Sequence, residues 1–169
     1  MTARQRNSGF SLIELLIVVA IIGIIAAMAI PGLLASRRAA NEASAQQSMR
    51  TLHSAEATYR ATSGNGNFGK LSGLAAQSLI DHVLGAADTS NKSGYTFTAT
   101  IADADPAATP PTQATFYITA IPVSPSGISQ TGTRRFGVTE DGVLHGDRIT
   151  IGTPYPDHDA VTSAAFLGN

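Results

Sequence analysis

The chain has 169 residues, of which 11 are basic and 12 acidic, and its formal net charge is −1 at neutral pH. This balance gives no electrostatic footprint for nucleic acid, and the absence of cysteine excludes a disulfide framework and any thiolate metal site. Since roughly 30 residues belong to the N-terminal apolar region, the rest of the chain is enough for one modest globular domain.

The N-terminal region is dominated by an apolar stretch from Phe10 to Ile30, in which Glu14 is the only charged residue. As a helix, this stretch would rise about 31 Å, which matches the hydrocarbon core of a bilayer. Residues 1–9 carry Arg4 and Arg6, so a short basic leader precedes the apolar run directly. We interpret residues 1–9 as a targeting leader and residues 10–34 as a hydrophobic transmembrane and assembly helix.

The junction between Gly9 and Phe10 lies before the apolar run. In a secretory signal peptide, the small residues of the cleavage site follow the apolar run instead. Cleavage at this junction would therefore leave the helix on the mature protein. It would also remove Arg4 and Arg6 and change the net charge to −3.

Glu14 needs a physical explanation, because a carboxylate within an apolar helix costs several kcal/mol unless it is paired or reaches water. Cleavage would create an α-amino group at Phe10, four positions earlier on the same helical face. The pair could form within one chain or between neighbouring chains. The alternative is that Glu14 lies near the membrane surface and extends to water.

Pro31 is a second unusual feature of the apolar helix. It has no N–H for the carbonyl of Ala27, so the helix is expected to kink or loosen there. Gly23 and Gly32 weaken the same region. An ordinary transmembrane kink would explain the same residues.

The segment from Gly9 to Leu15, followed by the apolar tail and Pro31, resembles the N-terminus of type IV pilins and of the related secretion pseudopilins. The resemblance implies that a prepilin peptidase cuts after Gly9 and methylates the new N-terminal Phe10. It also implies that subunits assemble into helical filaments around a bundle of these helices. Glu14, Gly23 and Pro31 are then the implied assembly residues, and the helix between that glycine and proline is expected to loosen in the filament.

Residues 35–62 continue the helix as an amphipathic segment, so one long helix is predicted from Phe10 to about Thr62. Arg50, Glu56 and Arg60 are expected to be exposed, with Glu56 and Arg60 paired at i,i+4. Ser63 to Gly66 ends the helix. The predicted core stripe recurs at helical spacing: Ala45, Met49, Leu52, Ala55 and Tyr59.

The glycines at positions 64, 66 and 69 match the spacing of a dinucleotide-binding loop. That loop needs a strand before it and a helix directly after it, whereas these glycines follow a long helix. No acidic residue stands where the ribose partner would be needed. A nucleotide site is therefore rejected.

Residues 63–169 are predicted to form a globular head with an antiparallel sheet. Residues 71–84 offer one or two short helices, and Arg148 to Ile151 is a candidate extra strand. Asp141-Gly142 is a strong hairpin signal. The predicted strands are residues 95–101, 114–121, 134–139 and 143–145. The expected fold is α+β and type IV pilin-like, with the second half of the long helix packed on three or four antiparallel strands.

The C-terminal region, Thr153 to Asn169, is expected to be irregular, with Phe166 and Leu167 as an apolar plug. Many pilins tie this region with a disulfide, so this chain needs another device. Pseudopilins use calcium in a comparable loop, which makes calcium a weak candidate here, although no dense acidic loop is present. The carboxylates considered are Asp141, Asp147, Asp157 and Asp159.

No catalytic constellation is found in the sequence, and no enzymatic activity is predicted. The favoured function is that of a pilus subunit whose partners are identical subunits, a prepilin peptidase, the inner-membrane assembly platform and the membrane itself. It would lie in the inner membrane before assembly and in a surface filament afterwards. The alternatives are a pseudopilin of a type II secretion system and, third, a single-pass anchored binding protein.

Overall fold

A computed structural model describes residues 10–167 of the chain, so the predicted cleavage residue Gly9 lies outside the described part. The described part divides into two compact units, with the boundary between Ser36 and Arg37. In chain order, the elements are α1 (Leu12–Ala61), α2 (Leu71–Ala76), β1 (Thr89–Lys92), β2 (Tyr95–Ala102), β3 (Thr115–Pro122), β4 (Arg135–Thr139), β5 (Leu144–Asp147) and α3 (His158–Thr162). The predicted α+β, type IV pilin-like architecture is confirmed.

Helix α1 has 50 residues and runs without interruption through Pro31. The loosening expected at this proline therefore does not break the helix in the single chain. Its N-terminal part is long and apolar enough to cross a membrane, with a mean hydropathy of 2.9 over its most apolar window. The single long helix predicted from Phe10 to about Thr62 is confirmed.

The second half of α1 packs on the sheet through the predicted stripe. Ala45, Met49 and Leu52 are fully buried, and Tyr59 is half-buried against the core. Glu56 was expected to be exposed, and this prediction is wrong, because its exposed fraction is 0%. It follows Leu52 by four residues, and the helical period therefore turns it toward the core despite its charge.

The sheet has five strands in the order β1-β2-β3-β4-β5, and each neighbouring pair is antiparallel. Three or four strands were predicted, so the sheet has at least one strand more than expected. The additional strand, β1, pairs with β2 through a tight turn at Ser93-Gly94, where both residues have positive φ. A two-residue turn of this kind matches the twist of a hairpin.

The hairpin predicted at Asp141-Gly142 is confirmed and joins β4 to β5. Strand β5 extends to Asp147, whereas the candidate strand Arg148 to Ile151 does not form and the chain turns there instead. The carboxylate of Asp147 accepts a hydrogen bond from the backbone N–H of Ile149 at 3.0 Å. This local side-chain bond favours a turn over an extended strand.

The face of the sheet opposite α1 is covered at β4. Phe136 and Val138 of β4 belong to the core shared with α1, so Gly137 between them faces the other side. A Cβ on Gly137 would lie 2.7 Å from Val161 and 3.1 Å from the ring of Tyr155. The C-terminal region therefore packs on the opposite face of the sheet, and only a glycine at position 137 leaves room for it.

The C-terminal region is less irregular than predicted, because it contains α3 and ends on the edge of β5. Leu167 donates its N–H to the carbonyl of Leu144 at 2.8 Å, and Gly146 donates to the carbonyl of Ala165 at 2.9 Å. Of the predicted plug, Leu167 packs on the core, whereas Phe166 is 75% exposed. These bonds cover part of an edge that would otherwise present unpaired backbone groups.

Candidate functional site

At the N-terminal end of α1, the side chain of Glu14 caps the backbone N–H of Ser11. The backbone N–H of Ser11 donates to Oε2 of Glu14 at 3.0 Å, and the helix begins at Leu12. A Glu three residues after a Ser is the pattern of a capping box, which satisfies an orphan N–H at a helix start. Sequence reasoning missed this role, although the Ser-x-x-Glu spacing is visible at positions 11–14.

The side chains of α1 before residue 34 form a continuous apolar surface. Phe10 is 75% exposed and Leu12 is 80% exposed. In a soluble protein, an exposed apolar patch of this extent marks a contact with a membrane or with another protein. The other large exposed members are Ile13, Leu15, Leu16, Ile17, Val18, Val19, Ile21, Ile22, Ile24, Ile25, Met28, Ile30 and Leu33.

Gly23 and Gly32 lie on this apolar helix and have no close packing neighbour among residues 10–167 beyond the helix itself. A Cβ at either position would have nothing within 4 Å beyond the local helix backbone. Glycine in a helix interior is less favourable than alanine by about 1 kcal/mol. No contact among residues 10–167 requires a glycine at these two positions, whereas Val161 and Tyr155 require one at Gly137.

The head contains a polar cluster that joins the end of β5 to the C-terminal region. Asp147 accepts hydrogen bonds from Nε and Nη2 of Arg135 at 3.0 and 2.8 Å and from the hydroxyl of Tyr155 at 3.1 Å. The guanidinium of Arg135 lies 3.9 Å from the centre of the Tyr155 ring, and its Nη1 donates to the carbonyl of Thr153. We call Arg135, Asp147 and Tyr155 the C-terminal brace.

Ionisation in the brace follows from its surroundings. Burial opposes the charge of Asp147, but hydrogen bonds from Arg135, from the N–H of Ile149 and from Tyr155 outweigh burial, so the pKa of Asp147 lies below its usual value. Burial, together with the Asp147 charge, raises the pKa of Tyr155 to about 12. The brace therefore holds one negative charge, one positive charge and a neutral phenol at physiological pH.

The four acidic residues considered for calcium are engaged separately. Asp141 accepts from Thr139 and from the N–H of Val143, and Asp157 caps α3 by accepting from Ala160 at 2.7 Å. Asp147 belongs to the brace, and the side chain of Asp159 is fully exposed beside His158. Within residues 10–167, no group of three or more acidic or histidine side chains is placed to hold a metal ion.

Calcium is therefore expected to leave the stability of the head unchanged. The measurement is the melting temperature of the purified full chain in detergent, with calcium and with chelator. Equal temperatures are the expected result, because a bound ion stabilises the folded state only when it has a site there. A rise of several degrees with calcium would contradict this expectation and revive the calcium alternative.

Comparisons with known proteins agree with the N-terminal features. Residues 4–30 match the family model of the prokaryotic N-terminal methylation motif. Over 54 residues, the chain is 44% identical to the type IV major pilin protein PilA of Myxococcus xanthus, a match that covers 32% of this chain and 24% of the relative. Over 39 residues, it is 68% identical to the type IV wide pilus major component PilA4 of Thermus thermophilus, covering 22% of this chain and 30% of the relative.

Each match covers less than a third of the length of the relative. No solved structure gives a significant match. The fold has the long helix and the antiparallel sheet that the resemblance of the N-terminal motif implies. The N-terminal region of this chain is therefore similar to that of type IV pilins, and its fold is type IV pilin-like.

Proposed function

We propose that this chain is the structural subunit of a type IV pilus filament. The observation that carries the proposal is the exposed apolar surface of α1, which bears a single carboxylate, Glu14, just after a Gly-Phe junction. In the precursor, this surface lies in the inner membrane. In the filament, it packs against the same surface of identical subunits, which removes it from water and lipid together.

The glycines of the apolar helix support assembly with other helices. In the part of the chain that the structure describes, a Cβ at Gly23 or Gly32 would meet nothing outside its own helix backbone. Small residues allow helix backbones to approach closely in an apolar environment. Pro31 cannot donate a backbone hydrogen bond to the carbonyl of Ala27, which lowers the cost of loosening the helix between Gly23 and Pro31 during assembly. Assembly further requires a prepilin peptidase and the inner-membrane platform as partners.

The alternative is a pseudopilin of a type II secretion system, which shares the N-terminal chemistry. The observation that supports this alternative is that the C-terminal region has no cysteine and is held by the brace and not by a disulfide. Electron microscopy of cells with and without this chain separates the two. Surface filaments that disappear with the chain support the pilus subunit, whereas unchanged filaments together with a secretion defect support the pseudopilin.

Processing is expected between Gly9 and Phe10, followed by N-methylation of Phe10. The junction lies directly before the apolar helix, at the membrane face, and basic residues lie on its N-terminal side. Intact-mass measurement of protein from sheared filaments tests this expectation. A mature chain that still carries residues 1–9 would contradict it, and Gly9→Leu should leave unassembled precursor in the membrane.

A further inference from the structure

Glu56 is a carboxyl group buried in the core of the head. Its exposed fraction is 0%, and its helical neighbours Leu52 and Ala55 belong to the same core. Oε2 accepts a hydrogen bond from the backbone N–H of Gly69 at 2.9 Å, whereas Oε1 is buried without a hydrogen-bond partner. A buried charge with one unsatisfied oxygen is unfavourable, so this site suits a neutral carboxylic acid better than a carboxylate.

The cations of α1 do not neutralise Glu56. Arg60, which was expected to pair with it, donates to the carbonyl of Gly66 at 3.1 Å and lies 5.0 Å from the centre of the Phe68 ring. His53 lies one turn earlier, and its Nε2 is 3.4 Å from the carbonyl oxygen of Glu140. The remaining titratable neighbour on the helix, Tyr59, packs against the glycines that follow α1.

The other elements packed around Glu56 also supply no counter-ion. Lys70, next to Gly69, pairs with Asp88 at 3.4 Å. Asp103, beyond the end of β2, lines the same surface depression as Gly69 and carries the same charge sign as Glu56. Strand β3 contributes apolar side chains to this core, among them Phe116. Burial is therefore the dominant influence, partly offset by the bond from Gly69, and it raises the pKa of Glu56 to about 7.

The loop that covers Glu56, residues 63–70, is fitted closely to its surroundings. A Cβ on Gly69 would lie 2.9 Å from the ring of Tyr59, so this residue has no room for a side chain. Gly64 and Gly66 donate their N–H groups to the last carbonyls of α1, and Asn67 accepts from the N–H of Ala104 at 3.0 Å. The ring of Phe68 packs against that of Phe116 at a tilt of 59°, with 4.6 Å between the ring centroids.

We propose that Glu56 and the loop of residues 63–70 form a pH-sensitive latch, which is closed when Glu56 is protonated and opens when the carboxyl ionises. Ionisation places an unpaired negative charge in the apolar core, and lifting Gly69 and Phe68 admits water to that charge. The latch acts at the junction of α1 with the rest of the head. It does not depend on whether the chain forms a pilus or a pseudopilus.

The sign of the effect follows from linkage. A carboxyl group whose pKa is raised in the closed state stabilises that state fully when the pH is below the ordinary pKa of the group. This stabilisation is lost as the pH rises through the raised pKa of the closed state. The pKa of Glu56 is about 7 in the closed state and takes its ordinary value of 4.5 in the open state. The equilibrium constant for opening should therefore increase about tenfold between pH 6 and pH 8. Protection of the loop should fall by the same factor.

Hydrogen exchange of the full-length processed chain in detergent micelles tests the latch. Peptides covering residues 63–70 are followed at pH 6 and pH 8, and the rates are corrected for intrinsic exchange. The expected result is a loss of protection of about tenfold in the unmodified chain and no pH dependence in Glu56→Gln, which is neutral throughout. Protection that is equal at both pH values, or that falls equally in Glu56→Gln, would overturn the proposal.

A matched control is available on the same helix. Glu42 is a partly buried Glu that accepts two hydrogen bonds from Thr133 and lies outside the latch. Glu42→Gln should therefore retain the tenfold loss of protection at residues 63–70. If Glu42→Gln also abolished that loss, the pH dependence would not be specific to Glu56, and the proposal would fail.

A second measurement covers the case in which Glu56→Gln does not fold. Carbon-13 NMR of the side-chain carboxyl groups in the unmodified chain gives the titration of Glu56 directly. A midpoint near neutral pH supports the latch. A midpoint near 4.5, the ordinary value for Glu, would overturn it.

Discussion

Glu14→Gln is expected to reduce filaments sharply while processed, membrane-embedded subunit remains at a normal level. In a single subunit, Glu14 is exposed near the start of α1, so its charge contributes little to insertion or to the head. In a filament core without water, the Phe10 ammonium and the Glu14 carboxylate would each be costly alone. Pairing them between neighbours would neutralise both charges and would select one axial register.

Glutamine is the informative substitution because it separates capping from charge. The Glu14 side chain accepts from the N–H of Ser11 at 3.0 Å, and the amide oxygen of Gln can accept the same bond. The helix start is therefore preserved, and only the negative charge is lost. An alanine at this position would remove both functions and could not distinguish them.

The readouts are the filament number, the helical symmetry and the amount of processed subunit in the membrane. Leu15→Ala is the matched control, because it changes the adjacent residue of the same apolar surface without altering charge. Its filament defect should be smaller than that of Glu14→Gln. Filaments of unchanged number and symmetry from Glu14→Gln would show that the carboxylate is incidental to assembly.

The fold was predictable where local periodicity and global packing agree. The long helix follows from the apolar stretch and the Ala45 to Tyr59 stripe, and β2, β3 and β4 follow from alternation and the Asp141-Gly142 turn. Strand β1 was missed because its four residues, Thr89 to Lys92, are mostly polar. Its pairing partner and the turn at Ser93-Gly94 define it more than its own composition does.

Two further errors arose where tertiary contacts outweigh residue type. Glu56 was predicted to be exposed from its charge, although its spacing from Met49 and Leu52 places it on the buried stripe. The C-terminal region was predicted to be irregular, although it contains α3 and pairs with the edge of β5. Its order comes from residues far away in sequence, chiefly Gly137 and Arg135, and a local pattern cannot show such contacts.

The assembly roles of Glu14, Gly23 and Pro31 stay predictions, whereas the N-terminal motif that suggests them is visible in the sequence. The order of basic leader, Gly9-Phe10 and Glu14 within an apolar run is itself the signal, and the family model matches the same residues. What the sequence reading overlooked is the capping role of Glu14. The physical reason is that a short spacing such as Ser-x-x-Glu has meaning only once the helix start is known.

The C-terminal brace should be the most stabilising ion pair of the head. The side chains of Arg135 and Asp147 are only 12% and 15% exposed, and the carboxylate accepts two hydrogen bonds from the guanidinium. Removing one partner of a buried pair leaves an uncompensated charge. Arg135→Met is therefore expected to lower the free energy of unfolding by about 3 kcal/mol, which corresponds to roughly 10 °C in melting temperature.

Lys92→Met is the matched control for this substitution. Lys92 pairs with Asp81 at 2.7 Å, close to the 2.8 Å of the brace, but the two side chains are 31% and 44% exposed. A solvent-exposed pair is worth about 1 kcal/mol or less. Equal effects of the two substitutions would show that the brace contributes no more than a surface ion pair and that another contact holds the C-terminal region.

The pH dependence of stability gives the brace a second, independent signature. Because the pKa of Asp147 is lowered below 3.8 in the folded chain, its contribution is fully present above that ordinary value and is lost as the pH falls through the folded-state value. Glu56 acts with the opposite sign near neutral pH, since its pKa is raised. The melting temperature should therefore be highest in mildly acidic solution. Arg135→Met should make its decrease toward lower pH less steep, and Glu56→Gln should make its decrease toward neutral pH less steep.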